Sequence, residues 1–94
     1  MNVPKPVRKV DFKGIAGIKR MACIACGRIG VDAAHIKSRG AGGSDTPDNL
    51  IPLCRGHHIM QHRTGWLEFC ETFPTVLQYL KQKGFYFKEF KLQK

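Results

Sequence analysis

Short apolar segments alternate with polar loops through the middle of the chain, and they predict two strands. The first covers residues 31–36 and the second residues 50–53, which are wholly apolar. Pro52 lacks an amide hydrogen, so the second strand can lie only at the edge of a sheet. Between the strands, residues 38–47 hold three glycines and one proline, a composition typical of a loop. The pattern therefore predicts two short antiparallel strands joined by a glycine-rich loop.

Apolar positions with helical spacing follow the second strand. Helices are predicted over three ranges, 55–63, 66–73 and 74–83. Gly65 is placed to end the first of these helices and Gly84 follows the last, since glycine is favoured just beyond a helix C-terminus. Residues 85–90 alternate in part, which leaves both a terminal strand and a packed tail open for them. Strands combined with helices in this order predict an α+β fold.

The charge of the chain points to an anionic partner. Its 94 residues, enough for a single domain, contain 16 Lys and Arg against 7 Asp and Glu, which gives a formal net charge of +9. Such an excess favours a polyanion, most often nucleic acid, although a purely solubilising charge has the same pattern. Pro4 and Pro6 lie among basic residues and predict an extended basic arm at the start of the chain.

The sequence contains no signal for export or for insertion into a membrane. A run of 18 apolar residues, the minimum for a membrane span, is absent. The first residues lack the apolar core of a secretory signal peptide. We therefore expect a cytoplasmic protein in a reducing compartment, where cysteines serve as metal ligands more often than as disulfides.

Two pairs of soft ligands have the spacing of a zinc site. Cys23-x-x-Cys26 and Cys54-x-x-His57 are separated by 27 residues. Each pair places two ligands on one turn, and four protein ligands predict a structural Zn²⁺ ion that clamps the N-terminal turn to the start of a helix. Chance clustering of buried cysteines and a disulfide are the alternatives. Cys70 is left over among aromatic residues, which predicts a buried thiol.

A second set of polar residues interleaves with these pairs. Residues 34–39 read Ala-His-Ile-Lys-Ser-Arg, the pair Gly42-Gly43 follows, and residues 48–58 read Asp-Asn-Leu-Ile-Pro-Leu-Cys-Arg-Gly-His-His. This order resembles the HNH endonucleases, or ββα-metal nucleases, in which a strand ends in His, a glycine-containing loop leads to Asn-Leu-x-x-Leu-Cys, and a helix begins with His. The resemblance covers residues 23–62 and implies a small zinc-stabilised ββα-metal finger with additional helices on both sides.

The resemblance implies a role for each polar residue of the motif. His35 would be the general base, because an imidazole accepts protons near neutral pH. Asn49 would hold this base in place by hydrogen bonds across the loop. His58 would be the principal ligand of a catalytic divalent ion, and His62, one helical turn later, would bind the same ion.

One position departs from the family pattern. Ala34 stands where many members have another metal ligand, and Asp32, on the same face of the strand, is one candidate substitute with a longer reach. The alternative ligand set is His58, His62 and water, completed by a phosphate oxygen. The ion itself would be Mg²⁺, Mn²⁺, Ni²⁺ or Zn²⁺. The loss of a ligand leaves an alternative to the enzyme, namely a catalytically weak or inactive zinc-stabilised module that binds nucleic acid.

The resemblance implies DNA as the substrate and a bacterial or phage-infected cell as the setting. Basic residues around the motif are expected to contact phosphates: Lys37, Arg39, Arg55 and Arg63. The basic residues before the motif could line the same surface: Arg8, Lys9, Lys13, Lys19 and Arg20. One active site would nick one strand with low sequence specificity. Cleavage of both strands would require two chains, as in a homodimer, or two visits by one chain, and greater specificity would require a protein partner.

These expectations divide a single domain into three parts. Residues 1–20 form a basic arm and a short helix, residues 21–65 the HNH core with its zinc knuckle, and residues 66–94 a C-terminal helical extension.

Overall fold

The first helix of the chain begins at an acidic residue. The computed structural model describes residues 11–94, and the basic arm predicted for the first ten residues lies outside this range. Helix α1 covers Phe12–Lys19. The Asp11 carboxylate accepts a hydrogen bond from the Gly14 N–H at 2.8 Å. This bond satisfies one of the free amide groups at the helix start, which explains why the helix begins there.

Two antiparallel strands follow α1 and form the first hairpin. Strand β1 covers Asp32–His35 and strand β2 covers Leu50–Leu53, with Asp32 opposite Leu53 and His35 opposite Leu50. Among residues 11–94, the sheet consists of these two strands, which agrees with the predicted edge position of Pro52. The loop between them contains two short 3₁₀ turns, Arg39–Ala41 and Pro47–Asn49.

Three helices follow the hairpin at the predicted positions. Helix α2 covers Arg55–Thr64, α3 covers Trp66–Thr72 and α4 covers Pro74–Gln82. Gly65 separates α2 from α3 with a φ of 80°, a left-handed value that glycine adopts without strain. Helix α2 contacts both strands as well as α3, and α3 contacts α4. The first hairpin and α2 therefore form a ββα unit on which the last two helices are stacked.

A second hairpin follows α4. Strand β3, Tyr86–Lys88, pairs antiparallel with strand β4, Lys91–Gln93. Of the two alternatives left open by the sequence for residues 85–90, the strand is thus the one that forms. The segment 66–94, expected to be a helical extension, contains two helices and then this hairpin.

The core lies where the first hairpin meets the last two helices. Its fully buried apolar side chains include Leu50, Ile51, Pro52, Leu53, Phe69, Val76 and Leu80. The buried Tyr79 hydroxyl donates to the Leu50 carbonyl at 2.8 Å, and the Trp66 indole N–H donates to the Ile36 carbonyl at 3.1 Å. The predicted α+β class is confirmed. Within residues 11–94, no helix has the length and apolarity that crossing a membrane requires.

We expect Tyr79→Phe to lower the free energy of unfolding by about 1–3 kcal/mol, because it removes a donor from the buried Leu50 carbonyl. Burial raises the pKa of the Tyr79 phenol, so the hydroxyl remains a donor over the usual pH range. Urea denaturation followed by circular dichroism measures the change. Tyr86→Phe, at an exposed position, is the matched control. Equal stability of the two variants would contradict the importance of this hydrogen bond.

Candidate active site and metal centre

Three cysteines and one histidine meet between the turn after α1 and the start of α2. The ligand atoms of Cys23, Cys26, Cys54 and His57 lie within 4.8 Å of one another. The turn is closed by Gly27, which donates its N–H to the Cys23 carbonyl at 2.7 Å and has a φ of 79°. Helix α2 begins directly after Cys54, so Cys54 and His57 share its first turn. The cysteines are free thiols, and the disulfide considered from the sequence is not formed.

The spacing of this Cys3His group fits a tetrahedral metal ion. Zn–S and Zn–N bond lengths imply ligand-to-ligand distances of about 3.5–3.8 Å. The Cys26 and Cys54 sulfurs are 3.8 Å apart. His57 Nδ1 lies 3.8 Å from the Cys23 sulfur and 3.2 Å from the Cys54 sulfur. The group can therefore hold a structural metal ion.

The titration of the thiols also favours a cation between them. Burial disfavours the Cys23 thiolate, but backbone N–H groups, led by that of Cys54, outweigh this effect and lower its pKa. The backbone N–H of Arg28 favours the Cys26 thiolate, but desolvation and the two adjacent sulfurs outweigh it and raise its pKa. Negative charge on one sulfur thus opposes charge on the next, and a divalent ion at the centre would remove this opposition.

Two adjacent histidines on α2 face different surroundings. The His57 ring packs edge-on against Phe73, with ring centroids 4.9 Å apart. The His58 ring turns to the first hairpin, where its Nδ1 lies 3.0 Å from Asp32 Oδ2. Successive residues of a helix point about 100° apart, so neighbouring positions can serve two separate centres.

Asp32, the first residue of β1, connects two side chains of α2. The Arg55 Nε–H donates to Asp32 Oδ2 at 2.8 Å, and the Arg55 Nη2–H donates to Oδ1 at 3.2 Å. The Arg55 guanidinium, and after it the His58 ring, keeps the pKa of the Asp32 carboxyl below its usual value. On its other side, His58 Nε2 lies 3.2 Å from His62 Nε2. The carboxylate and the two imidazoles therefore form one continuous line of contacts.

Asp32 and His35 also line a cleft between the first hairpin and α1. The cleft has a volume of about 300 Å³, and two basic residues line it as well, Lys19 from α1 and Arg39 from the glycine-rich loop. A cleft that combines two cations, an imidazole and a carboxylate suits an anionic group that undergoes proton transfer.

Asn49 closes the loop that leads from β1 to β2. Its side-chain NH₂ donates to the Lys37 carbonyl at 2.9 Å and to the Ser44 carbonyl at 2.8 Å. Its side-chain oxygen accepts from the Lys37 N–H at 2.8 Å. Gly43 lies so close to this contact that a Cβ there would collide with the Lys37 carbonyl, so only glycine fits. The Asn49 side chain is buried, and its NH₂ group and its oxygen are all engaged in these hydrogen bonds, which fixes the shape of the loop.

His35 is held by a carboxylate from the same loop. His35 Nε2 lies 2.6 Å from Asp45 Oδ1, and the Asp45 side chain is completely buried. The Arg39 Nε–H donates to the same Asp45 oxygen at 3.1 Å. Burial of a carboxylate is unfavourable unless it is paired, and these contacts explain how Asp45 is tolerated there.

Several residues predicted for the site come together in two groups. Asp32, His35 and Arg39 line the cleft, while Arg55, His58 and His62 line up with Asp32 along α2. Lys37 lies elsewhere and lines a separate cavity, which Lys94 also lines. Arg63 is exposed near the end of α2. The basic residues thus do not form a single surface around His35.

The sequence pattern assigns no site role to Asp45, and it includes Lys19 only among the basic residues before the motif that could line a phosphate-binding surface. Asp45 follows a Gly-Gly-Ser sequence, and in a loop of this composition an aspartate is normally a turn residue exposed to water. Lys19 lies in α1, outside the motif. Both residues reach His35 or its cleft from other elements, and no local pattern reports such contacts.

A family model described as HNH endonuclease matches residues 23–66 of the chain. The matched range includes the Cys3His group, both strands of the first hairpin and helix α2. No curated protein matches the chain at a significant level. The resemblance drawn from the sequence is confirmed: residues 23–66, which include the zinc-type ligands and the polar motif, match the HNH endonuclease family model.

Proposed function

We propose that this chain is a metal-dependent endonuclease that hydrolyses phosphodiester bonds of DNA. One observation carries the proposal. A single cleft is lined by an imidazole, two cations and the carboxylate that contacts His58. A net charge of +9 favours a polyanionic substrate, and the match to an endonuclease family favours DNA.

Structural zinc is the ion that the Cys3His group would hold. Thiolate and imidazole ligands at tetrahedral spacing are typical of Zn²⁺, and four protein ligands leave no position for a substrate. The ion would join the turn after α1 to the start of α2. In a chain of 94 residues, this link would supply folding free energy that the small core lacks.

His58 and His62 would hold a second, catalytic ion through their Nε2 atoms. The two atoms are 3.2 Å apart, which suits adjacent ligands of one ion at metal–nitrogen distances of about 2.0–2.1 Å. Asp32 contacts the opposite nitrogen of His58, so it fits a residue that orients the ring better than the direct ligand expected from the sequence. Mg²⁺, Mn²⁺, Ni²⁺ and Zn²⁺ are the candidate ions, and each would stabilise negative charge on the phosphate and the leaving oxygen.

The residues of the cleft would then carry out the hydrolysis. His35 takes a proton from a water molecule, whose oxygen attacks the phosphorus. The bond to the 3′ oxygen breaks, and this oxygen takes up a proton from solvent. The products carry 5′-phosphate and 3′-hydroxyl ends. Lys19 and Arg39 bind the phosphate oxygens and offset the charge that develops there.

One cleft of this kind acts on one strand, so the chain would nick duplex DNA. Two copies would be needed to cut both strands, and a protein partner would be needed for greater sequence specificity. Most of the proposed DNA contacts are charges that meet phosphates, which carry no sequence information.

A second candidate function is a zinc-stabilised module that binds nucleic acid without cleaving it. Ala34 favours this candidate, because it is buried and supplies no ligand at a position where many family members have one. The two candidates differ in nicking and agree in DNA binding, so one assay separates them.

We expect purified protein to nick supercoiled plasmid in the presence of Mg²⁺, Mn²⁺ or Ni²⁺, and a chelator to stop the reaction. His35→Ala should lower the rate about 10²–10⁴-fold while DNA binding persists, because it removes the proton acceptor alone. Gel electrophoresis measures nicking and fluorescence anisotropy measures binding. Lys81→Ala, on an exposed face of α4, should behave like the wild type. Binding without nicking under every metal would favour the non-catalytic module.

Asp32→Asn should raise the concentration of divalent ion needed for half-maximal nicking about 10–100-fold, because the His58 ring loses its carboxylate partner. Excess metal should restore the wild-type rate. His58→Ala should remain inactive at any metal concentration. Glu68→Gln, at an exposed position of α3, is the matched carboxylate control. An unchanged metal requirement in Asp32→Asn would contradict the orienting role of Asp32.

The chain should retain about one tightly bound zinc ion after purification, as measured by mass spectrometry of the metal content. Cys54→Ser should lose the metal and unfold or aggregate, as followed by circular dichroism. Cys70→Ala should keep both metal and fold, because this buried thiol, whose pKa burial raises to about 11, lies outside the Cys3His group. A well-folded protein without zinc would contradict the assignment.

A further inference from the structure

The loop between β1 and β2 brings a buried aspartate, Asp45, and an exposed arginine, Arg39, to the His35 imidazole at the end of β1. Asp45 Oδ1 lies 2.6 Å from His35 Nε2 and 3.1 Å from Arg39 Nε. The Asp45 side chain has no exposure to solvent, whereas Arg39 is more than half exposed. This arrangement goes beyond what a structural turn requires, because a turn aspartate can stay in water.

We propose that Asp45 is a positioning residue that selects the ring nitrogen with which His35 accepts a proton. The proposal rests on the endonuclease function proposed above and adds to it. An ionised carboxylate can only accept hydrogen bonds, so His35 must carry its hydrogen on Nε2 to satisfy Asp45. The lone pair then lies on Nδ1, which has no hydrogen-bond partner among residues 11–94. Nδ1 is therefore the nitrogen left for water in the cleft.

Arg39 has a second role in this arrangement. The Arg39 guanidinium donates to the same Asp45 oxygen that contacts His35, so it helps to hold the carboxylate against the ring. Lys19 and Asp32 also line the cleft and carry charges of opposite sign. Arg39 thus supports the orientation of the base, in addition to binding phosphate.

The buried Asn49 amide acts on His35 through the same acid. Asn49 holds the Ser44 carbonyl at 2.8 Å, and Asp45 is the next residue along the chain. The loop is further tied by a hydrogen bond of 2.8 Å between the hydroxyl groups of Ser44 and Thr46, on either side of Asp45. The line of contacts therefore runs from Asn49 to the loop backbone, from there to Asp45, and from Asp45 to the ring.

The direct test measures which ring nitrogen of His35 carries the hydrogen, and it does not depend on nuclease activity. The zinc-loaded full chain, labelled with ¹⁵N, is studied by two-dimensional NMR of the histidine ring nitrogens in the absence of DNA. We expect neutral His35 in the wild type to carry its hydrogen on Nε2 alone. Asp45→Asn should convert this ring to a mixture of both tautomers. Asp48→Asn, an exposed aspartate of the same loop, should leave the ring unchanged. A wild-type ring protonated on Nδ1, or a ring unaffected by Asp45→Asn, would overturn the proposal.

The kinetic test separates kcat from KM for nicking. Asp45→Asn should lower kcat about 10²-fold with little change in KM, because part of the His35 rings then present the wrong nitrogen to water. Arg39→Met should mainly raise KM, because it removes a phosphate contact and leaves Asp45 against the ring. A merely structural role of Asp45 would lower the amount of folded protein and leave kcat per folded molecule unchanged. An unchanged kcat in folded Asp45→Asn would overturn the proposal.

Zinc content and circular dichroism of each variant establish that the fold is retained. If Asp45→Asn fails to fold, the wild-type ring spectrum still tests the proposal, because a His35 ring that carries its hydrogen on Nδ1 would overturn it. An absence of nicking by the wild-type chain would overturn the proposed endonuclease function, whereas the ring spectra would still decide whether Asp45 selects the tautomer.

Discussion

The buried amide of Asn49 is the contact on which the geometry of the cleft depends. It binds both backbone groups of Lys37 and the Ser44 carbonyl, so it closes the long loop between β1 and β2. A glycine-rich loop left open would have many conformations, and closing it is entropically unfavourable. The three hydrogen bonds offset this entropy and place Asp45 against His35. The His35 side chain, at the end of β1, is thus oriented by Asp45, which lies ten residues further along the chain.

Helix α2 serves two centres with adjacent residues. His57 lies against Phe73 and faces the cysteine sulfurs, while His58 contacts Asp32 at the surface of the hairpin. The Cys3His group offers four protein ligands, which suits a structural ion, whereas the proposed catalytic ion at His58 and His62 would have two protein ligands and open positions. Because both start in one helical turn, a link that stabilises the fold also sets the position of the proposed catalytic ion.

Much of the fold could be predicted because the signals were local. The two strands, the three helices and the glycine after α2 follow from apolar spacing and from residues that favour helix ends. The Cys3His group could be predicted because each pair of ligands occupies one turn. The hairpin over Tyr86–Lys88 and Lys91–Gln93 was left open, because strands of three residues are too short for alternation to be distinct.

The ligand types, the pairs that share a turn and the strongly basic charge can all be read from the order of residues. The folded chain is needed to show that Asp32 contacts His58 at Nδ1, that His35 contacts the buried Asp45, and that Lys19 lines the same cleft. The physical reason is that spacing within an element follows the repeat of its backbone. Distances between elements instead follow from loop closure and packing, which depend on residues far apart in the chain.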